Sequence, residues 1–173
     1  VTFTVFILLE YIRLTKIEPF AGLITNCYSF FLDEKDQGVL VLTNIYLLIG
    51  CSLPLWLSAH RLDAMTSSTN RVLPLFAGVL AIGIGDSAAS IGGTRFGRTK
   101  WPDSSKTVEG TLFSIGAQLM FVWFLDNIVG YQDLACDWTV AAQIAIVAIV
   151  ESLTNQVDNI VLPLILYGLM SYT

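Results

Sequence analysis

An all-α, polytopic transmembrane bundle of about six membrane segments, the first of them truncated, is the fold this sequence predicts, and three observations predict it. Its 173 residues are 54% hydrophobic and only 13% charged, about half the charged share of an ordinary soluble domain. Apolar runs that approach or reach the roughly 20 residues needed to cross a hydrocarbon core recur along the chain. The charges between them gather in short connections, with no internal repeat and no linker composition. A single membrane-embedded domain over 1–173 follows.

The opening VTFTVFILLEYIRL has no charged n-region and no small-residue cleavage site, so it reads as part of a membrane helix and not as a signal peptide. Residues 15–38 read as a polar connection, with Asp33, Glu34, Lys35 and Asp36 in a row. A full span is predicted over 39–59, then a loop with His60, Arg61, Asp63 and Arg71. The span 73–94 carries Asp86, and the loop 95–109 leads to a span over 110–129. A connection at 130–138 holds Asp133 and Asp137 and no basic residue. Two short apolar runs, 139–150 and 160–172, flank ESLTNQVDN.

Orientation follows from counting Lys and Arg in the short loops. The loop 95–109 is rich in them and 130–138 has none, so 95–109 is assigned to the cytosol. Alternation then brings 15–38 and 151–159 to the same side. The net charge of −5 excludes a nucleic-acid surface, which needs a clustered basic excess. Three scattered cysteines, Cys27, Cys51 and Cys136, indicate neither a disulfide framework nor a zinc site.

Asp86 is the first candidate site residue, because an ionisable group at membrane depth is costly and marks function by default. It precedes Arg95 by nine residues, about 13 Å of helix. The plainer reading, a carboxylate pairing inside the bundle, stands beside it. Ala77, Ala81, Gly85, Ala89 and Gly93 recur every four residues, a stripe suited to close helix approach. The loop that follows concentrates Arg95, Arg98, Lys100, Lys106 and Glu109, and Lys106 and Thr107 stand just before a helix start, where free amides and positive potential favour phosphate. It is no Walker A loop, since Ser105 occupies the place of the second glycine. In ESLTNQVDN, Glu151, Thr154, Asn155, Asp158 and Asn159 share one face of a continuous helix. The short flanks favour a polar break buried in protein or lining a cavity, and an exposed hairpin turn is the plainer alternative. Several carboxylates beside several cations suit a metal nucleotide, with Mg²⁺ on one or two acids and phosphate oxygens and a further acid accepting a hydroxyl proton.

GIGDSAASIGG, KWPDSSKTVEGT and ESLTNQVDNIVLP, in that order, resemble the dolichol kinases, CTP-dependent polyprenol kinases of the endoplasmic reticulum. FLDEKDQG and NIYLLIGCSLPLWL fit the same family. The resemblance covers almost the whole chain and implies the C-terminal catalytic part of a longer polytopic protein. It implies transfer of the CTP γ-phosphate to dolichol, giving the dolichyl phosphate used in protein glycosylation, in a multi-pass protein with its active site on the cytosolic side. It assigns CTP contact to the loop from Phe96 to Thr111, most characteristically Lys106, Thr107, Glu109 and Gly110. Arg95, Gly97, Arg98, Lys100, Trp101, Ser105 and Thr111 complete the nucleotide set. Asp86 matches a GD motif, and Asp158 and Asn159 a DN motif. Ser105 departs from relatives that carry a second lysine there. On this reading Asp86, Asp158 and Glu151 are the catalytic candidates, and Asp86, Glu109 and Asp158 the ligands of Mg²⁺ (or Ca²⁺). The rivals are a phytol or diacylglycerol kinase, a phosphatidate cytidylyltransferase, and an ion-coupled transporter. The sequence gives no indication of oligomeric state.

Overall fold

In a computed structural model, residues 2–18, 20–29, 43–62, 72–102, 104–127, 138–154 and 158–172 are described. They are helical apart from turns and one antiparallel bridge between Lys100 and Thr107. They divide into two compact units, 1–49 and 50–173.

In the first unit α1 (Thr2–Leu14) packs on α2 (Phe20–Ser29). Arg13 donates from Nε to Glu10 Oε2 at 3.0 Å, one turn back on α1, and Lys16 adopts φ 52° as the chain leaves that helix. The expected polar connection over 15–38 therefore contains a helix. Its apolar face, Phe20, Ala21, Leu23 and Ile24, is short and closes on polar Thr25 and Asn26, which hid it from a search for 20-residue runs. The acidic run Asp33 to Asp36 lies outside the described residues. Helix α3 (Thr43–Leu62) starts in this unit and runs into the next, with Pro54 inside it.

The second unit carries the core. The predicted span over 73–94 is not one α-helix. A 3₁₀ turn, Leu73–Phe76, carries Pro74 in its first positions, where a missing N–H costs nothing. A π-helical stretch, Val79–Asp86, follows, and α4 runs from Ser87 to Phe96. Wide turns of this kind are rare and cluster at functional sites. Helices α5 (Val108–Asn127), α6 (Trp138–Leu153) and α7 (Asp158–Ser171) complete the unit. Ala77, Leu80, Val122, Ile144, Val147 and Leu166 form its centre.

Partner positions show that α4 and α5 run antiparallel: Gly85 lies against Gln118, Gly92 against Phe113, and Gly93 against Thr107. A Cβ on Gly92 would stand 2.5 Å from Phe113 Cβ, and one on Gly110 would stand 2.7 Å from the Ala89 carbonyl oxygen. The small-residue stripe thus serves close packing. A second node joins three elements. A Cβ on Gly50 would collide with the Asn159 carbonyl and approach Ile82 Cδ1, and one on Gly78 would stand 2.5 Å from the Gly50 carbonyl oxygen.

Polarity in α5 is inverted relative to a water-soluble helix. Thr111, Ser114 and Gln118 are buried at i, i+3 and i+7, while Leu112, Met120, Trp123 and Phe124 are exposed. Gln118 donates from Nε2 to Ser114 Oγ at 3.1 Å. Among the described residues α5 is the one helix both long and apolar enough to cross a membrane. The apolar stretches Ile45–Ser58, Trp138–Leu153 and Asn159–Ser171 are shorter.

Candidate active site

Residues 97–107 form a compact loop between α4 and α5. Val108 N–H donates to the Thr99 carbonyl at 2.9 Å and Trp101 N–H to the Lys106 carbonyl at 3.1 Å. Thr107 caps α5, its Oγ1 accepting the Gly110 N–H at 3.2 Å. Both Glu109 carboxylate oxygens accept the Thr99 N–H, each at 3.1 Å. Trp101 Nε1 donates to Thr111 Oγ1 at 3.0 Å, and Thr111 Oγ1 donates to the Thr107 carbonyl at 3.2 Å. Trp101, Thr107, Glu109, Gly110 and Thr111 therefore build the loop. Gly97, Arg98, Lys100 and Ser105 are exposed on it, as is Arg95 at the end of α4. Arg95, Phe96, Gly97, Arg98 and Glu109 line a shallow depression of about 460 Å³.

Lys106 points away from that depression. Its Nζ donates to the Glu151 carbonyl at 2.7 Å and stands 3.7 Å from Glu151 Oε1. The contact spans 45 residues and ties the loop to the last turn of α6, where unpaired carbonyls favour a cation. Glu151 and Ser152 are buried. The polar stretch near 151–159 and the basic loop thus meet on one side of the unit, as the orientation count anticipates. Glu151 and Asp158 do not share a continuous helical face, because α6 ends at Leu153 and α7 begins at Asp158.

The chain is 42% identical to the dolichol kinases of Mus musculus and Homo sapiens over 172 residues, 98% of its length. It is 34% identical to a dolichol kinase of Arabidopsis thaliana over 170 residues, 96% of its length. The chain is similar to dolichol kinases along nearly its whole length. It spans about a third of the length of these curated relatives, 32% of the animal proteins and 29% of the plant one. No protein-family model matches the chain. No solved structure matches it either.

Of the carboxylates that the dolichol kinase resemblance singles out, Asp86 and Glu109 do not meet. Asp86 stands at the start of α4 and the Glu109 carboxylate at Thr99, beyond that helix's other end, roughly 15 Å apart along the axis. One Mg²⁺, with ligands at about 2.1 Å, cannot bridge them. Among the described residues no group of three or more His, Cys, Asp or Glu could hold a metal. Asp86 is better placed toward the start of α7. Asn159 and Ile82 meet at Gly50, and Ile82 precedes Asp86 by about one helical turn. The Asp158 side chain lies outside the described residues, as do Asn155, Asp63, Arg71, Asp133 and Asp137.

Sequence reasoning covered Phe96 and Thr99 only as part of the loop from Phe96 to Thr111, and did not single out either of them or Gly50. Thr99 supplies the amide that holds Glu109. Phe96 stacks on Phe113, ring centroids 5.1 Å apart and planes 3° from parallel. Gly50 admits the Asn159 carbonyl. Phe113 lies one turn after Glu109, so the spacing placed Glu109 and Phe113 on one face of α5; nothing local linked either to Phe96.

Proposed function

We propose that this chain is the catalytic part of a CTP-dependent dolichol kinase, embedded in the endoplasmic reticulum membrane by about six segments with its site at the cytosolic surface. The observation that carries the reading is the identity to dolichol kinases over nearly the whole chain. The meeting of the cationic loop with the end of α6 supports it. The inverted polarity of α5 supports membrane embedding, since lipid accepts the exposed apolar set and rejects the polar one.

Arg95, Arg98 and Lys100, with exposed backbone at Gly97, hold the triphosphate. Phosphoryl transfer asks chiefly for positioning and charge neutralisation. The terminal oxygen of dolichol attacks the γ-phosphorus of CTP and a new P–O bond forms. The bond from that phosphorus to the β-phosphate bridging oxygen breaks and CDP leaves. A carboxylate accepts the hydroxyl proton, and Asp86 or Asp158 takes this role. Mg²⁺ (or Ca²⁺), when bound, supplies charge neutralisation on the phosphate oxygens. Asp86 and Asp158 would hold it, which suffices because this ion uses one or two carboxylates plus phosphate. The product, dolichyl phosphate, serves protein glycosylation. Membranes containing the full-length protein, given dolichol and CTP labelled at the γ- or the α-phosphate, test the reading. Lipid label from the γ position alone is the expected result; label from the α position identifies a cytidylyltransferase and overturns it.

A further inference from the structure

The depression beside the loop has one wall that phosphate chemistry does not explain. Phe96 is 56% exposed, yet its ring is fixed by a parallel stack on Phe113. Arg95, Arg98 and Glu109 line the depression with it. Phe96 is also the last residue of α4, followed at once by the exposed polar run Gly97 to Lys100. A ring facing lipid needs no cationic neighbours on either side. A ring immobilised beside two cations on one depression offers a flat π-face to a nucleobase whose phosphates those cations can take.

We infer that Phe96 is the nucleobase platform of this site: the pyrimidine stacks on Phe96 while Arg95 and Arg98 take the phosphates. This rests on the reading of the loop as a CTP site and adds what holds the base. Glu109 has a part in base choice. Each carboxylate oxygen already accepts the Thr99 N–H and keeps a lone pair, so either can accept from the exocyclic amine of cytosine. At that position uracil presents a carbonyl, which the carboxylate repels. Phe113 is a positioning residue that holds the Phe96 ring.

Phe96→Leu and Phe96→Trp in the full-length protein separate a base platform from a lipid-facing side chain. Leucine keeps the apolar surface and loses the π-face, whereas tryptophan keeps both. The expected result for Phe96→Leu is a rise of about 5- to 150-fold in KM for CTP, the range of a lost base–aromatic stack. The KM for dolichol and kcat stay near wild type, and Phe96→Trp restores the CTP value. A KM for CTP unchanged in Phe96→Leu, or a change confined to the dolichol KM, overturns the inference while leaving the CTP reading intact. If the wild-type protein neither binds labelled CTP in equilibrium dialysis nor transfers its γ-phosphate, the functional reading falls and takes the inference with it.

Discussion

Replacing Lys106 by methionine keeps the length of the side chain and removes the charge that ties the loop to α6. The ion pair at 3.7 Å is worth about 4 kcal/mol before desolvation at an effective dielectric near 20. Glu151 is only 5% exposed, and removing the cation beside a buried carboxylate costs up to about 3 kcal/mol. Glu151→Gln is milder. It keeps the backbone carbonyl that accepts the 2.7 Å bond from Nζ and exchanges a charged acceptor for a neutral one, a loss of about 1 kcal/mol. If the pair positions the loop, the loss appears in nucleotide affinity. Glu151→Gln then raises KM for CTP about 5-fold and leaves kcat within about 3-fold of wild type. Lys106→Met raises it further and lowers the thermal midpoint of the purified protein. The double variant Lys106→Met/Glu151→Leu should be less impaired than the two single effects summed, since no lone buried charge remains. Steady-state kinetics with CTP varied at saturating dolichol, beside thermal unfolding in detergent, provide both readouts. Loss of a general base would instead cut kcat by about 10²- to 10⁴-fold. A fall of that size in Glu151→Gln at unchanged KM would refute the positioning role and restore Glu151 to the catalytic set.

Two further outcomes follow from the packing and from the loop. Gly50→Ala forces a methyl group into the Asn159 carbonyl, a backbone atom that cannot rotate away; it should lower the thermal midpoint and displace the start of α7, with a cost of about 3 kcal/mol. Gly116→Ala and Gly168→Ala, which meet nothing within 4 Å, are the controls and should not lower the midpoint, since alanine favours a helix interior. Glu109→Gln keeps an acceptor for the Thr99 N–H, so it should leave the Mg²⁺ concentration for half-maximal activity at the wild-type value. A requirement raised tenfold or more would return Glu109 to the metal set.

Much of this site was legible because its logic is local. Gly85 and Gly93 stood on an i, i+4 stripe, and helix-spaced small residues mean close approach whatever the partner. Counting basic residues in the loops brought Lys106 and Glu151 to one side, and the structure joins them. The same count could not say that they use each other, because which cation a carboxylate takes depends on distances that spacing does not fix. Glu109 shows the limit most plainly. A lone acid beside a basic loop looks like a metal ligand; that its carboxylate accepts the loop's own Thr99 N–H is a contact that spacing does not announce. The π-helical stretch was hidden for a different reason: VLAIGIG is apolar throughout up to Asp86, and apolar composition does not reveal which carbonyl each amide will choose.

The inverted polarity of α5 divides the helix into two sets of positions that answer to different solvents. Changing Leu112, Met120, Trp123 and Phe124 to Glu, Lys or Gln touches only the outer set. The hydrogen bond from Gln118 to Ser114 and the Gly85–Gln118 contact belong to the inner set and are untouched by it. A water-soluble redesign of this unit can therefore start by rewriting its outside and keep the inside as it stands.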